Sequence, residues 1–271
     1  TAMDLRPIHF VQGDDLPFQL FVPTYAAAAW YHKKLSPELQ KRDLPDLMAE
    51  VEAWSESELT VALMKGDRIH TDEHAKIANQ LSAYTGLDLE YVQGTNLRIN
   101  IHRFCKQLLR GERRNVGRLD SRFKGVEALD VNELPEFDPS MMAIKPPYTS
   151  TFNNYIRAEL GVETDLDYEI ISGSVNEKWE WEKGVLPNTG EVLRGAMAKN
   201  PFMKVLVAQG YFDLATPHFA TEYMISHMNV DAKLRDNVQI HYYPAGHMFY
   251  IDQETIAAFK KDIDAFIQTS V

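Results

Sequence analysis

"MKVLVAQGYFDLATP", residues 203–217, decides how this chain is read. An uninterrupted apolar run ending in Gly210 is what a strand buried on both faces of a parallel sheet requires. Thr216 and Pro217 then supply an N-cap and a first-turn proline for the helix "TPHFATEYMISHM". A second apolar run follows, "VQIHYY" (238–243), which leaves through "PAGHMFYID" into the amphipathic segment "DQETIAAFKKDIDAFI", capped by Asp252. Upstream, "DYEIIS" (167–172) reads as a strand and "TGEVLRGAMAKN" as a helix. Strands alternating with helices predict an α/β sheet with helices on its faces.

Toward the N-terminus the rhythm changes. Ile8–Val11 reads as a short strand followed by a Gly-Asp-Asp turn. From 17 to about 112 the spacing is almost wholly helical. Ser36 with Pro37, Thr71 with Gly86, and Thr95 with Gly111 mark helix ends, and Gly66 marks another stop. Residues 115–147 carry scattered prolines and no period, and read as a long surface loop; 148–161 is helical again. The expected organisation is a core strand and turn at 1–16, a helical cap or insertion at 17–150, and an α/β core half at 151–271. No internal repeat is present.

Composition bounds the function. Among 271 residues, 39 acidic against 28 basic side chains give a net charge of −11, which argues against nucleic acid or an anionic membrane as partner. The one basic stretch, "LLRGERRNVGRLDSRFKG" with Arg110, Arg113, Arg114, Arg118, Arg122 and Lys124, reads as a solvated face or internal ion pairs. Cys105 is the lone cysteine, so no internal disulfide forms, and it reads as a buried small hydrophobe. No segment approaches a membrane span and none opens the chain as a secretory signal.

Chemistry gathers beyond the C-terminal ends of strands in open α/β sheets. Asp213 lies in the loop leaving the first apolar run, and His247 in the loop leaving the next. Consecutive strands usually lie side by side, so the two side chains are placed to meet. An Asp on one ring nitrogen fixes the tautomer and frees the other nitrogen to take a proton from a nucleophile. Two plainer readings stand beside this one: Asp213 as a cap for the following helix, and His247 as an ordinary surface histidine.

"VLVAQGYFDLATPHFATEYMISHM" and "VQIHYYPAGHMFYID" resemble the C-terminal part of the serine carboxypeptidase family, especially its bacterial-type members. "DLPFQLFVPTYAAAAWYHKKL", "LRINIHRF", "VGRLDSRFKG" and "YTSTFNNYIRAELG" are also similar, so the resemblance spans nearly the whole chain. It implies a partial α/β-hydrolase fold with a large helical cap insertion, Asp213 in "GYFD" as triad aspartate and His247 in "GHM" as triad histidine. It further implies Met248 beside a pocket for the leaving residue, a peptide substrate and a secreted or periplasmic protein. The family's serine sits on Gly-Glu-Ser-Tyr-Gly, and no serine here has both elbow glycines; "ISGSVNE" comes nearest but lacks the second. With Thr1 in place of Met, the expectation is that the nucleophile, the oxyanion donors and the carboxylate-binding groups lie upstream, in a portion of the same protein that partners this one. A catalytically incomplete binding module and an acyltransferase or esterase on the same scaffold are the rival expectations.

Other candidates point less far. His70 and His74 in "HTDEH" lack a third zinc ligand and read as a solvated helix start. His218 and His227 show no ligand spacing. Trp179 and Trp181 in "EKWEWEKG" are expected to cover the sheet edge or the cap. Without a phosphate-binding Gly-rich loop or a metal motif, no cofactor and no metal are expected.

Overall fold

A computed structural model of the chain describes residues 3–11, 13–166, 168–180 and 184–270. It is a mixed α/β structure in which helices dominate. The helical body begins with α1 (Leu16–Leu20) and α2 (Val22–Tyr31), then α3 (Pro37–Gln40), α4 (Leu44–Trp54), α5 (Thr60–Lys65), α6 (Thr71–Thr85), α7 (Leu89–Gly94) and α8 (Ile101–Gln107). The start and stop signals act as their chemistry dictates. Ser36 accepts the Leu39 N–H, His70 the Asp72 N–H and Asn100 the His102 N–H, while Gly86 closes α6 at φ +67°. The helix expected from Thr95 therefore starts six residues later, because Asn100 caps it and Asn96 and Leu97 take positive φ. A π-turn, Ser55–Leu59, joins α4 to α5.

The apolar stripe of α2 is the centre of the body. Tyr25 and Ala26–Ala29 are completely buried among Leu47, Val51, Leu81 and Phe104, and the Tyr25 ring stacks on Phe104 at 4.0 Å between centroids. Alanines let α4 and α6 approach α2 closely.

Residues 115–147 are not one loop. Arg114–Val116 (β1) and Lys124–Val126 (β2) form an antiparallel hairpin, and α9 (Pro139–Asn154) starts where Asp138 accepts the N–H groups of Ser140 and Met141. The helix continues through Pro146 and Pro147 on its exposed side, anchored inward by Ile144. In the basic stretch, Arg122 pairs with Asp120 and Asp252, and Arg110 donates to the Asp130 carbonyl, as internal pairing predicts.

The remainder is thinner. After α10 (Gly173–Glu177) and α11 (Gly190–Lys199), β3 (Val205–Gly210) pairs in parallel with β4 (Val238–Tyr243), Val205 opposite Val238 and Gly210 opposite Tyr243. The crossover is α12 (His218–Ser226), and α13 (Gln253–Ser270) closes the chain. Two expected strands are absent. Arg6–Ile8 is a 3₁₀ turn forced by Pro7, and Ile8 and Phe10 pack against the helical core instead of a strand partner. The described part of 167–172, residues 168–172, is irregular. Trp179 is exposed rather than covering the sheet, and Trp181 lies outside the described residues. The boundary expected at 150 does not separate cores, since Phe212 and Leu214 are buried within the helical body's cluster. No helix among the described residues is long and apolar enough to cross a membrane.

Candidate active site

Where β3 and β4 end, two glycines let the backbones close on each other. A Cβ on Gly210 would strike the Ala245 carbonyl oxygen and come within 2.6 Å of that of Gly246. A Cβ on Gly246 would strike the Asp120 side chain and come within 2.5 Å of the Leu119 carbonyl. Past these glycines, the Phe212 N–H donates to the Ala245 carbonyl at 3.0 Å, so the loops carrying Asp213 and His247 stay side by side.

The two side chains meet. His247 Nδ1–H donates to Asp213 Oδ2 at 2.8 Å. A carboxylate partner requires the proton on Nδ1, which leaves the Nε2 lone pair available. Asp213 is buried and the imidazole is 39% exposed, so the acid is enclosed and the base faces outward. Four donors converge on the carboxylate: the Ala215 and Thr216 N–H groups on Oδ1, and the Thr216 hydroxyl at 2.6 Å with His247 on Oδ2. Asp213 thus holds the histidine and the turn before α12, but it does not cap that helix, whose N-cap is Pro217 with no side-chain bond. Thr216, expected as the N-cap, instead directs its hydroxyl at Asp213.

Sequence reasoning missed the segment that holds the pair in place. Residues 118–122 contact both loops through backbone bonds. Leu214 N–H donates to Arg118 O, Ser121 N–H to Phe212 O, and His247 N–H to Leu119 O at 2.7 Å. Arg122 Nη1 adds a bond to Pro244 O at 2.7 Å, and the guanidinium lies 5.4 Å from the Phe212 ring centre. The segment is fixed in turn to the start of α9 by Asp138 and Ser140. Only the crowding glycines hinted at such a contact in the sequence.

Met248 is placed differently from expectation. It is buried against Leu119 and Ile144 and does not line the cavity that His247 faces. That cavity, about 260 Å³, runs along the Val205–Gly210 backbone and includes Asp213, Thr216, Thr221 and His247. Among the described residues no strand occupies the other edge of β3, and no hydroxyl engages His247 Nε2. Ser121, though part of the bracing segment, is fully buried.

Cys105 is buried, and burial pushes its thiol well above the ordinary range, as suits a core residue. His70 and His74 serve a helix start and an Asn96 contact. A different group brings metal-type ligands together: Glu52, His218 and Glu222 converge within 4.8 Å. No family model, curated protein or solved structure matches this chain.

Proposed function

We propose that Asp213 and His247 are the acid and base of a serine-type acyl hydrolase, a carboxypeptidase by its resemblance, whose serine lies in a portion of the protein outside residues 1–271. On this reading the chain is the C-terminal part of an α/β-hydrolase fold, and the helical body roofs the site. The observation that carries it is the 2.8 Å bond from Nδ1, which leaves Nε2 facing a cavity at the ends of two parallel strands. The unpartnered edge of β3 supports it too. Two parallel strands alone rarely stand, and a further strand along Val205–Gly210 would bring its own C-terminal loop beside His247.

The chemistry follows from the tautomer. His247 Nε2 takes the proton of the serine hydroxyl as the oxygen attacks the substrate carbonyl, and the imidazolium is stabilised by Asp213. The ring then returns the proton to the leaving amine, and a second round with water releases the acid. Oxyanion donors would come with the serine segment. Residues 1–271 alone are therefore expected to hydrolyse peptides at close to background rate.

The test is a fluorophosphonate probe on the full-length product. Labelling of a serine upstream of Thr1, abolished by His247→Ala, is the expected result. An unlabelled full-length protein, or robust peptidase activity from residues 1–271 alone, overturns the reading.

A further inference from the structure

Helix α12, which follows the Asp213 turn, carries a set of polar groups on the face turned to the helical body. His218 and Glu222 are four residues apart, so they project from one face of α12. Glu52 reaches them from α4, and its Oε1 lies 3.0 Å from His218 Nε2. We infer that Glu52, His218 and Glu222 form a binding site for a divalent transition-metal ion of the zinc class, joining the helical body to the α/β portion.

Four observations carry this. First, the donor set is one imidazole and two carboxylates, which suits zinc with a remaining position for water. Second, two of the three ligands, His218 and Glu222, have an outer partner of the kind that orients metal ligands. The Thr24 hydroxyl lies 3.3 Å from His218 Nδ1, and the Tyr242 hydroxyl donates to Glu222 Oε1 at 2.8 Å. Third, the charge is uncompensated. Among the described residues neither Glu52 nor Glu222 has a Lys or Arg partner, and Glu56 adds a further negative charge nearby. Fourth, there is a way in. His218 is fully buried, its ring perpendicular to the stacked rings of Tyr211 and Tyr242, but Glu222 also lines an open cavity of about 400 Å³ shared with Gln19 and Glu56.

His218 with Glu52 also has a plainer use, as a buried ion pair with the proton on Nε2. The two uses differ in Glu222. An ion pair needs only Glu52, whereas a metal draws on both carboxylates.

The proposal is independent of the hydrolase reading and is tested on residues 1–271 with zinc alone. After chelator treatment and desalting, the chain is titrated with Zn²⁺ by calorimetry, and metal retained after gel filtration is measured. One equivalent bound, a rise in melting temperature with zinc, and a loss of affinity of about tenfold or more in both Glu222→Gln and Glu52→Gln are expected. Circular dichroism on the same samples shows that the variants are folded. Glutamine at 222 keeps an acceptor for Tyr242, so a folding failure there is not anticipated. A His70→Gln, His74→Gln double variant should bind as the parent does, which separates the site from surface histidines. Cobalt in place of zinc should give the visible bands of a low-coordinate ion, lost in Glu222→Gln. Sub-stoichiometric zinc, an unchanged melting temperature, or unaltered affinity in Glu222→Gln would overturn the proposal and leave the ion pair.

Discussion

The helical body and the α/β portion are built to different standards. Around α2 the side chains of five consecutive residues, Tyr25–Ala29, are wholly buried, and helices from many parts of the sequence converge on them. In the α/β portion, β3 and β4 have only each other as strand partners among the described residues, and most of their residues are half-buried. The thin part nevertheless holds the acid–base pair at hydrogen-bond distance. It does so by borrowing order: Phe212 and Leu214, on either side of Asp213, insert into the helical body's core. Rigidity of a site thus depends less on the sheet that displays it than on what its loops are plugged into.

The comparison breaks most visibly at that plug. Phe212→Ala removes a ring packed edge-on to Tyr31 at 5.4 Å and should cost about 3–5 kcal/mol in denaturant unfolding. If instead the strands unfolded alone while the body kept its midpoint, the two regions would be independent. Gly246→Ala comes next, at about 1–3 kcal/mol, because the new methyl must displace Asp120 or the Leu119 carbonyl. Its more specific signature is a His247 imidazole that no longer shows the downfield Nδ1 proton of the Asp213 bond.

A pH titration sharpens the comparison from the body's side. Burial pushes His32 and His102 below the ordinary imidazole value, and His32 donates from Nε2 to Ser121 O at 2.7 Å, beneath the brace. A group whose folded pKa is depressed binds its proton more readily when unfolded. Stability is therefore full above the unfolded imidazole's pKa and is lost as pH falls through that value toward the folded one. His32→Gln should flatten this slope in unfolding midpoints measured across mildly acidic pH. The smallest effect is expected from Thr216→Val. It deletes one donor to Asp213 and should cost about 1 kcal/mol while leaving the His247 contact in place.

What the sequence disclosed follows the same division. β3, β4, α12 and the pair between them were legible because each signal is local: an apolar run, a glycine where backbones cross, a proline at a helix start. The N-terminal strand was not, since Ile8 and Phe10 alternate with polar residues as a strand would but are used as plugs beside Phe18 and Phe21. The hairpin Arg114–Val126 escaped because three-residue strands carry no period. The first part of α9, residues 139–147, escaped because Pro146 and Pro147 signal a break that an exposed helix with a firm Asp138 cap overrides. The Glu52–His218–Glu222 group left only a His-x-x-x-Glu trace, its third member being supplied by tertiary packing.

The stretch 118–122 grips the Asp213 loop and the His247 loop with separate backbone bonds while being tied to the first turn of α9. Acid and base are therefore yoked: any tilt of that peptide carries both together and leaves the gap between them nearly constant. What such a tilt changes is their aim, so movement of α9 would reorient the imidazole without unmaking the pair.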